Sequence, residues 1–224
     1  MPLDLPPDLT GTWALEVVIG TVSKAPIIGE THSTSKTRML VTVTADAAAA
    51  LPAWTQSQTV CRTWMEGGSK LAKAVLPPAW VDVMQPRSYP LTLTAEGDGW
   101  AYAADTGLQT IGYDEARGAL PTRGTDANVL DADKDGRPGA TVIIEVPGFG
   151  KGEVYIAQRG HSRLAGRVVG PDRVEGSVVI VEMAQATLGA SHRVFDFTPD
   201  TRPDMKRSTF AMWRVDGASG CAGL

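Results

Sequence analysis

The sequence predicts an all-β protein made of antiparallel strands, and three observations indicate this class. Apolar and polar residues alternate with a period of two in many short segments, as in residues 13–19. Residues suited to tight reversals separate these segments, for example at positions 96–99, 147–150 and 170–172. No segment between them is long enough for the crossover helix that a parallel sheet requires.

About ten segments fit a strand by length and composition. In chain order they are residues 13–19, 39–43, 56–65, 89–93, 108–113, 141–146, 154–158, 164–169, 174–183 and 208–215. Residues 45–52 and 69–76 each predict a turn or two of helix, and Pro77 ends the second. Because closure removes the free edges of a sheet, we expect a closed up-and-down barrel of about ten strands, with a β-sandwich as the alternative.

Length and composition indicate one domain. The chain has 224 residues, of which 43% are hydrophobic, and this is enough apolar material for a sizeable core. We expect a proline-rich tether at residues 1–8, a β-barrel domain at residues 9–216 and a glycine-rich tail at residues 217–224. An apolar insertion at residues 66–88, containing Trp80 and Met84, forms either a lid over the barrel mouth or a cover for the end of the core or for a sheet edge.

The charge pattern argues against several classes of partner. The formal net charge is -4 and the basic residues are scattered, so nucleic acid and anionic membrane surfaces are poor candidates. No run of about 18 apolar residues occurs, so we expect no transmembrane helix. The first residues carry no export signal, although trimming of a longer precursor would leave a proline-rich start such as this one.

The two cysteines, Cys61 and Cys221, are far apart in the sequence. A disulfide between them would tie the glycine-rich tail to the body of the domain; the alternative is two unpaired thiols. Disulfides form in oxidising compartments, so this bond implies an extracytoplasmic protein that is periplasmic, attached to the envelope or secreted.

An aspartate-rich loop predicts a calcium site. Asp131, Asp133 and Asp135 follow one another at every second position, and Gly136 permits the sharp turn that comes next. The pattern is similar to the first half of an EF-hand loop and to the Asp-rich calcium turns that precede β-strands in integrin-type propeller repeats. Alternate carboxylates in such a loop converge on one hard cation, and without a cation they repel each other.

Further ligands are needed to complete this calcium site. We expect the backbone carbonyl of Arg137 to be one of them, and Asp126, Glu145 or water to supply the remainder. A cation here would have a structural role, pinning the long connection between Tyr113 and Thr141. Magnesium, or a solvated acidic loop with no metal, are the alternatives.

The segment at residues 9–13 resembles the Gly-x-Trp entry of the lipocalins and their calycin relatives, here formed by Gly11 and Trp13. The resemblance implies an up-and-down barrel in which this tryptophan lies at the closed end and a cationic side chain of the last strand packs across it. Arg214 is the candidate for that cation. Without the resemblance, Trp13 is simply a core aromatic residue that follows a turn.

No catalytic motif is present, and the three histidines are far from one another in the sequence. We therefore weigh three functions. The first is a calcium-stabilised barrel that binds a small apolar ligand, and a hollow interior would favour it. The second is a structural or interaction module of the cell envelope, and the third is an isomerase-like or cyclase-like enzyme acting at the barrel mouth.

Overall fold

The computed structural model describes residues 5–26, 29–45, 53–148 and 150–224, and ten β-strands and one short α-helix account for most of this part of the chain. All strand pairs of the sheet are antiparallel, which confirms the predicted all-β class. The strands are β1 (Gly11–Ala25), β2 (Gly29–Ala45), β3 (Trp54–Gly68), β4 (Lys73–Val75), β5 (Arg87–Glu96), β6 (Gly99–Ile111), β7 (Ala140–Val146), β8 (Gly150–Gly170), β9 (Arg173–Ala190) and β10 (Asp200–Arg214), with α1 (Trp80–Val83) between β4 and β5.

Eight of the ten strands form a closed ring. Their order around the ring is β1, β2, β3, β5, β6, β8, β9 and β10, and β10 pairs with β1 to complete it. Each strand of the ring pairs with the next one along the chain, as in an up-and-down barrel. The remaining two strands lie outside this ring, because β7 extends beside the first half of β8 and β4 pairs with the outer edge of β7.

The ring is not evenly barrel-shaped, because two of its seams are short. β3 and β5 pair only where Trp54–Gln58 meets Arg87–Leu91. β9 and β10 pair only where Arg173–Ser177 meets Thr209–Trp213, and the earlier part of β10, from Asp200 to Asp204, pairs with β1 alone. The register between β1 and β10 shifts between Val18 and Gly20, where these two parts of β10 meet. The sheet therefore splays apart between β9 and β10 at the end of the ring far from Trp13.

Two of the sequence predictions of local structure need correction. Residues 69–76 contain strand β4 instead of a helix, and the helix lies later, at Trp80–Val83. Pairing with Ile143–Glu145 of β7 overrides the local helical preference of so short a segment. The helix predicted at residues 45–52 lies outside the described residues beyond Ala45. The predicted strands at 154–158 and 164–169 are one continuous strand, β8, and residues 170–172 form the predicted hairpin turn.

The interior of the ring has two unlike halves. Near the start of β1 it is filled by a cluster of large apolar side chains, among which Trp13, Leu15 and Met212 are fully buried. We call this cluster the packed half. Toward the opposite end, the inward positions of β1 and β2 change from apolar residues to Thr and Ser, and the ring is hollow. We call this end the hollow half.

Candidate functional site

The hollow half contains a cavity of about 690 Å³. Its volume lies within the range of about 300 to 1,000 Å³ that is typical of small-molecule sites in proteins. Val17, Met39 and Leu164 border it on the side of the packed half, so the apolar core forms its floor.

The cavity has two walls of different chemistry. Strands β1 and β2 present hydroxyl groups, because the inward positions that hold apolar residues near Trp13 hold Thr and Ser further along the same strands. The hydroxyl wall is formed by Thr21, Ser23, Thr31, Ser33, Ser35 and Thr37. Two of its contacts join neighbouring strands, at 2.9 Å between the hydroxyls of Thr21 and Ser33 and at 3.2 Å between those of Thr37 and Thr63.

The opposite wall is mainly apolar. It consists of side chains from α1, β7, the first half of β8 and the segment that follows β9. Trp80 is 4% exposed, and its indole nitrogen donates a hydrogen bond to the carbonyl oxygen of Thr141 on β7. The apolar wall includes Leu76, Trp80, Met84, Val142, Ile156 and Phe195. Trp80 and Met84, the two residues considered as part of a lid, therefore both border the cavity and form part of its side wall.

A buried hydrogen-bond chain lies where the packed half borders the cavity. Gln56 is fully buried; its amide nitrogen donates to the Tyr89 hydroxyl at 2.9 Å, and its amide oxygen accepts from the Tyr102 hydroxyl at 2.5 Å. Tyr89 in turn donates to the amide oxygen of Gln58 at 2.6 Å. Burial raises the pKa of both phenols, so the chain stays neutral under ordinary conditions. Its polar groups satisfy each other, as buried groups must.

Arg87 contributes a cationic side chain to the cavity wall. It is half-buried at the start of β5, where it is the cross-strand partner of Gln58 on β3. One of its terminal nitrogens, Nη2, donates to the carbonyl oxygen of Leu108 at 2.7 Å. No motif in the sequence indicates Arg87, although the alternation of inward residues Tyr89 and Leu91 extends back to it.

At the packed half, the side chain of Arg214 packs over the ring of Trp13. The guanidinium carbon of Arg214 lies 4.3 Å from the ring centroid of Trp13. Arg214 also donates to the carbonyl oxygens of Asp8 and Thr10 and to the carboxylate of Asp172, which joins the chain entry to the turn between β8 and β9. Gly11 has a φ of +121°, and a Cβ there would lie 2.9 Å from the Arg214 guanidinium, so glycine is required at this position.

The aspartate loop brings its three carboxylates together just before β7. One oxygen from each of Asp131, Asp133 and Asp135 lies within 4.8 Å of the others. The loop backbone bonds to these side chains: the Asp131 carboxylate accepts from the amides of Asp135 and Gly136, and the Asp133 Oδ2 atom accepts from the amide of Thr141. Asp133 Oδ1 is buried and has no hydrogen-bond partner in the described part of the chain. An orphaned anionic oxygen inside an acidic cluster is the arrangement that a hard cation satisfies.

The two additional ligands considered from the sequence lie outside this cluster. Asp126 accepts hydrogen bonds from the amides of Thr122 and Arg123, which hold the pKa of its carboxyl below its usual value. Glu145 forms an ion pair of 2.8 Å with Lys151, which lowers the pKa of its carboxyl. Both carboxylates therefore have partners of their own. The side chain of Arg137 packs over the ring of Tyr155, with 5.6 Å between the guanidinium carbon and the ring centroid.

Cys61 and Cys221 form the predicted disulfide, across 160 positions of the sequence. The bond attaches the tail, which contains the 3-10 segment Gly217–Gly223, to β3. Cys61 occupies an irregularity of β3, because its neighbours Val60 and Arg62 pair with the consecutive β2 residues Met39 and Arg38. In the part of the chain that the structure describes, no helix has the length and apolarity to cross a membrane.

Fold and site together define an antiparallel β-protein with a closed eight-stranded ring, an internal cavity and an acidic loop at the start of β7. Comparison with protein-family models, with curated protein sequences and with solved structures finds no significant match to this chain. The geometry of the cavity and the loop is therefore the basis for assigning a function.

Proposed function

We propose that the protein binds a small, largely apolar molecule inside the hollow half of the ring. The cavity of about 690 Å³ carries this proposal, because small barrels that serve only as scaffolds fill their interior with side chains. Here the packed half is filled in this way and the hollow half is not. A continuous apolar wall, including Trp80 and Met84, offers the surface that an apolar ligand would bury.

A neutral fluorescent probe tests this proposal. N-phenylnaphthylamine gains fluorescence in apolar sites, and we expect saturable binding of one molecule per chain. The variant Ser35→Trp places an indole in the cavity and should abolish binding, whereas Thr59→Trp, at an exposed position of β3, should leave it unchanged. Native mass spectrometry of the purified protein would detect any ligand that copurifies with it. Absence of saturable probe binding, or equal binding by the two variants, would overturn the proposal.

The acidic loop supports a second part of the proposal, a structural calcium ion held by Asp131, Asp133 and Asp135. The orphaned Oδ1 atom of Asp133 supports this assignment more strongly than the sequence pattern does, because an unpaired buried carboxylate oxygen is costly. The Arg137 carbonyl and water would complete a shell of six or more oxygens. Bound calcium would neutralise the three carboxylates and fix the connection that leads into β7, part of the apolar wall.

Thermal unfolding with calcium or chelator tests the metal. At a calcium concentration about 100-fold above Kd, binding stabilises a protein by about 2.7 kcal/mol, which is a rise in Tm of about 5 to 10 °C for a chain of this size. Asp133→Asn should remove most of this rise. Asp126→Asn is the matched control, since that carboxylate lies outside the cluster, and it should retain the calcium response. If neither calcium nor chelator changes the Tm of the wild-type protein, the assignment is contradicted.

The disulfide supports an extracytoplasmic location as part of the same proposal. Such bonds persist in oxidising compartments and are rare where thioredoxin and glutathione keep thiols reduced. Millimolar calcium is also typical of extracellular modules with weak calcium sites. Fractionation of cells that express the native gene, with detection of the full-length chain, would test this location.

A further inference from the structure

The cavity wall contains one cation whose charge no described side chain balances. Arg87 faces inward together with Tyr89 and Leu91, which follow it at alternate positions of β5. None of the ion pairs in the described residues includes Arg87, and its only hydrogen bond there is to the neutral carbonyl of Leu108. The half-buried guanidinium of Arg87 therefore has N–H donors at the cavity wall that are not bonded to any described protein anion.

The acidic residues that border the cavity do not serve as its counter-ion. Asp200 lies exposed at the start of β10, and none of the ion pairs in the described residues joins it to Arg87. The other charged side chains on the border have partners of their own, namely Glu66 with Lys36, Glu182 with Arg159, and His161 with Asp105. The positive charge of Arg87 is therefore available to a molecule inside the cavity.

A second donor lies beside Arg87. Gln58 is its cross-strand partner on β3, so the two residues are neighbours on the inward face. The amide oxygen of Gln58 is occupied by the Tyr89 hydroxyl, which leaves the amide nitrogen as the end that can donate. The hydrogen-bond chain from Tyr102 through Gln56 to Tyr89 fixes this orientation. A planar guanidinium next to an oriented amide N–H group matches the two oxygens of a carboxylate.

We infer that the ligand of the cavity is an amphipathic carboxylic acid whose carboxylate binds to Arg87 and Gln58. This inference rests on the proposed ligand-binding function and specifies the chemical class of the ligand. The apolar body of the molecule lies along Trp80, Met84 and the rest of the apolar wall. The hydroxyl wall of β1 and β2 faces the other side of the ligand and suits a body that carries polar substituents there.

Displacement of N-phenylnaphthylamine by two matched competitors tests this inference. Dodecanoate and dodecanol share the same chain and differ in the charge of the head group. We expect dodecanoate to displace the probe at a concentration about tenfold lower than dodecanol, as charge-assisted hydrogen bonds would give. Arg87→Gln should remove this difference by weakening dodecanoate alone, and Arg87→Lys should retain part of it because it retains the charge.

Controls separate the two proposals. Arg167→Gln removes a guanidinium from the outer surface of β8, where it pairs with Asp98, and should leave the preference for dodecanoate intact. Equal displacement by acid and alcohol, or a preference that survives in Arg87→Gln, overturns the carboxylate inference while probe binding continues to support the cavity function. Failure of the wild-type protein to bind the probe overturns both. Unchanged dodecanol affinity in Arg87→Gln shows that the variant is folded.

Discussion

The packed half and the hollow half of the ring share strands β1 and β2, which present different inward residues to each half. On β1, the inward positions run from Trp13 and Leu15 to Thr21 and Ser23; on β2, the same change begins at Thr37. Large apolar side chains fill the first half, whereas short hydroxyl side chains leave a cavity in the second. Under the proposed function, the packed half contributes stability and the hollow half contributes binding, at opposite ends of one sheet.

The largest expected effect contrasts one methionine from each half. Met212 is fully buried in the packed half, so Met212→Ala should lower the free energy of unfolding by about 2 to 5 kcal/mol through lost burial and a new void. Met65 is half-buried and borders the existing cavity, so Met65→Ala should cost less than about 1 kcal/mol. Urea-induced unfolding measures both values. Equal losses would contradict the division into two halves.

The disulfide lies at the boundary between the halves and should give the next largest effect. Its Cys61 follows Val60, which pairs with Met39 at the floor of the cavity. Replacing both cysteines by serine should lower the free energy of unfolding by about 2 to 4 kcal/mol, because the bond closes a very long loop. Reductant should lower the Tm of the wild-type protein to that of the double variant and leave the variant unchanged. A wild-type Tm that is insensitive to complete reduction would contradict this role.

Replacement of Arg214 tests whether the packed half affects stability without affecting binding. Arg214→Lys keeps the charge but cannot bond Asp8, Thr10 and Asp172 at once while covering Trp13. We expect a loss of about 1 to 3 kcal/mol in the free energy of unfolding. Binding of the neutral probe, measured well below the unfolding transition, should be unchanged. Weakened binding in this variant would show that the two halves are coupled.

The fold was predictable from the sequence because its signals are local. Alternation over residues 13–19 and the turn at residues 170–172 determine strands and a hairpin without reference to the rest of the chain. Strand β4 was not predictable in this way, since its three residues are strand only because β7 lies beside them. Closure of the sheet was expected because it removes free edges, but the number of strands in the ring depends on long-range pairings such as that of β1 with β10.

The site was predictable in part for the same reason. The aspartates of the acidic loop are close in sequence, so their convergence could be expected from spacing alone. Arg87 and Gln58 are 29 positions apart by their numbers and meet only through the register of β3 and β5. The part of β2 in the hydroxyl wall shows no alternation of apolar residues. Its inward residues can be identified only by continuing the alternation of Met39 and Val41 back along the strand.

The smallest expected effect lies in the hydroxyl wall. Thr37→Val keeps the shape of the side chain and removes one hydrogen bond to Thr63, so the free energy of unfolding should change by less than about 0.5 kcal/mol. The new methyl group enlarges the apolar surface of the cavity and should strengthen binding of N-phenylnaphthylamine about threefold. Thr59→Val, at an exposed position of β3, is the matched control and should alter neither quantity. If Thr37→Val changes stability more than binding, the hydroxyl wall belongs to the core and not to the site, and the boundary between the halves lies further from Trp13.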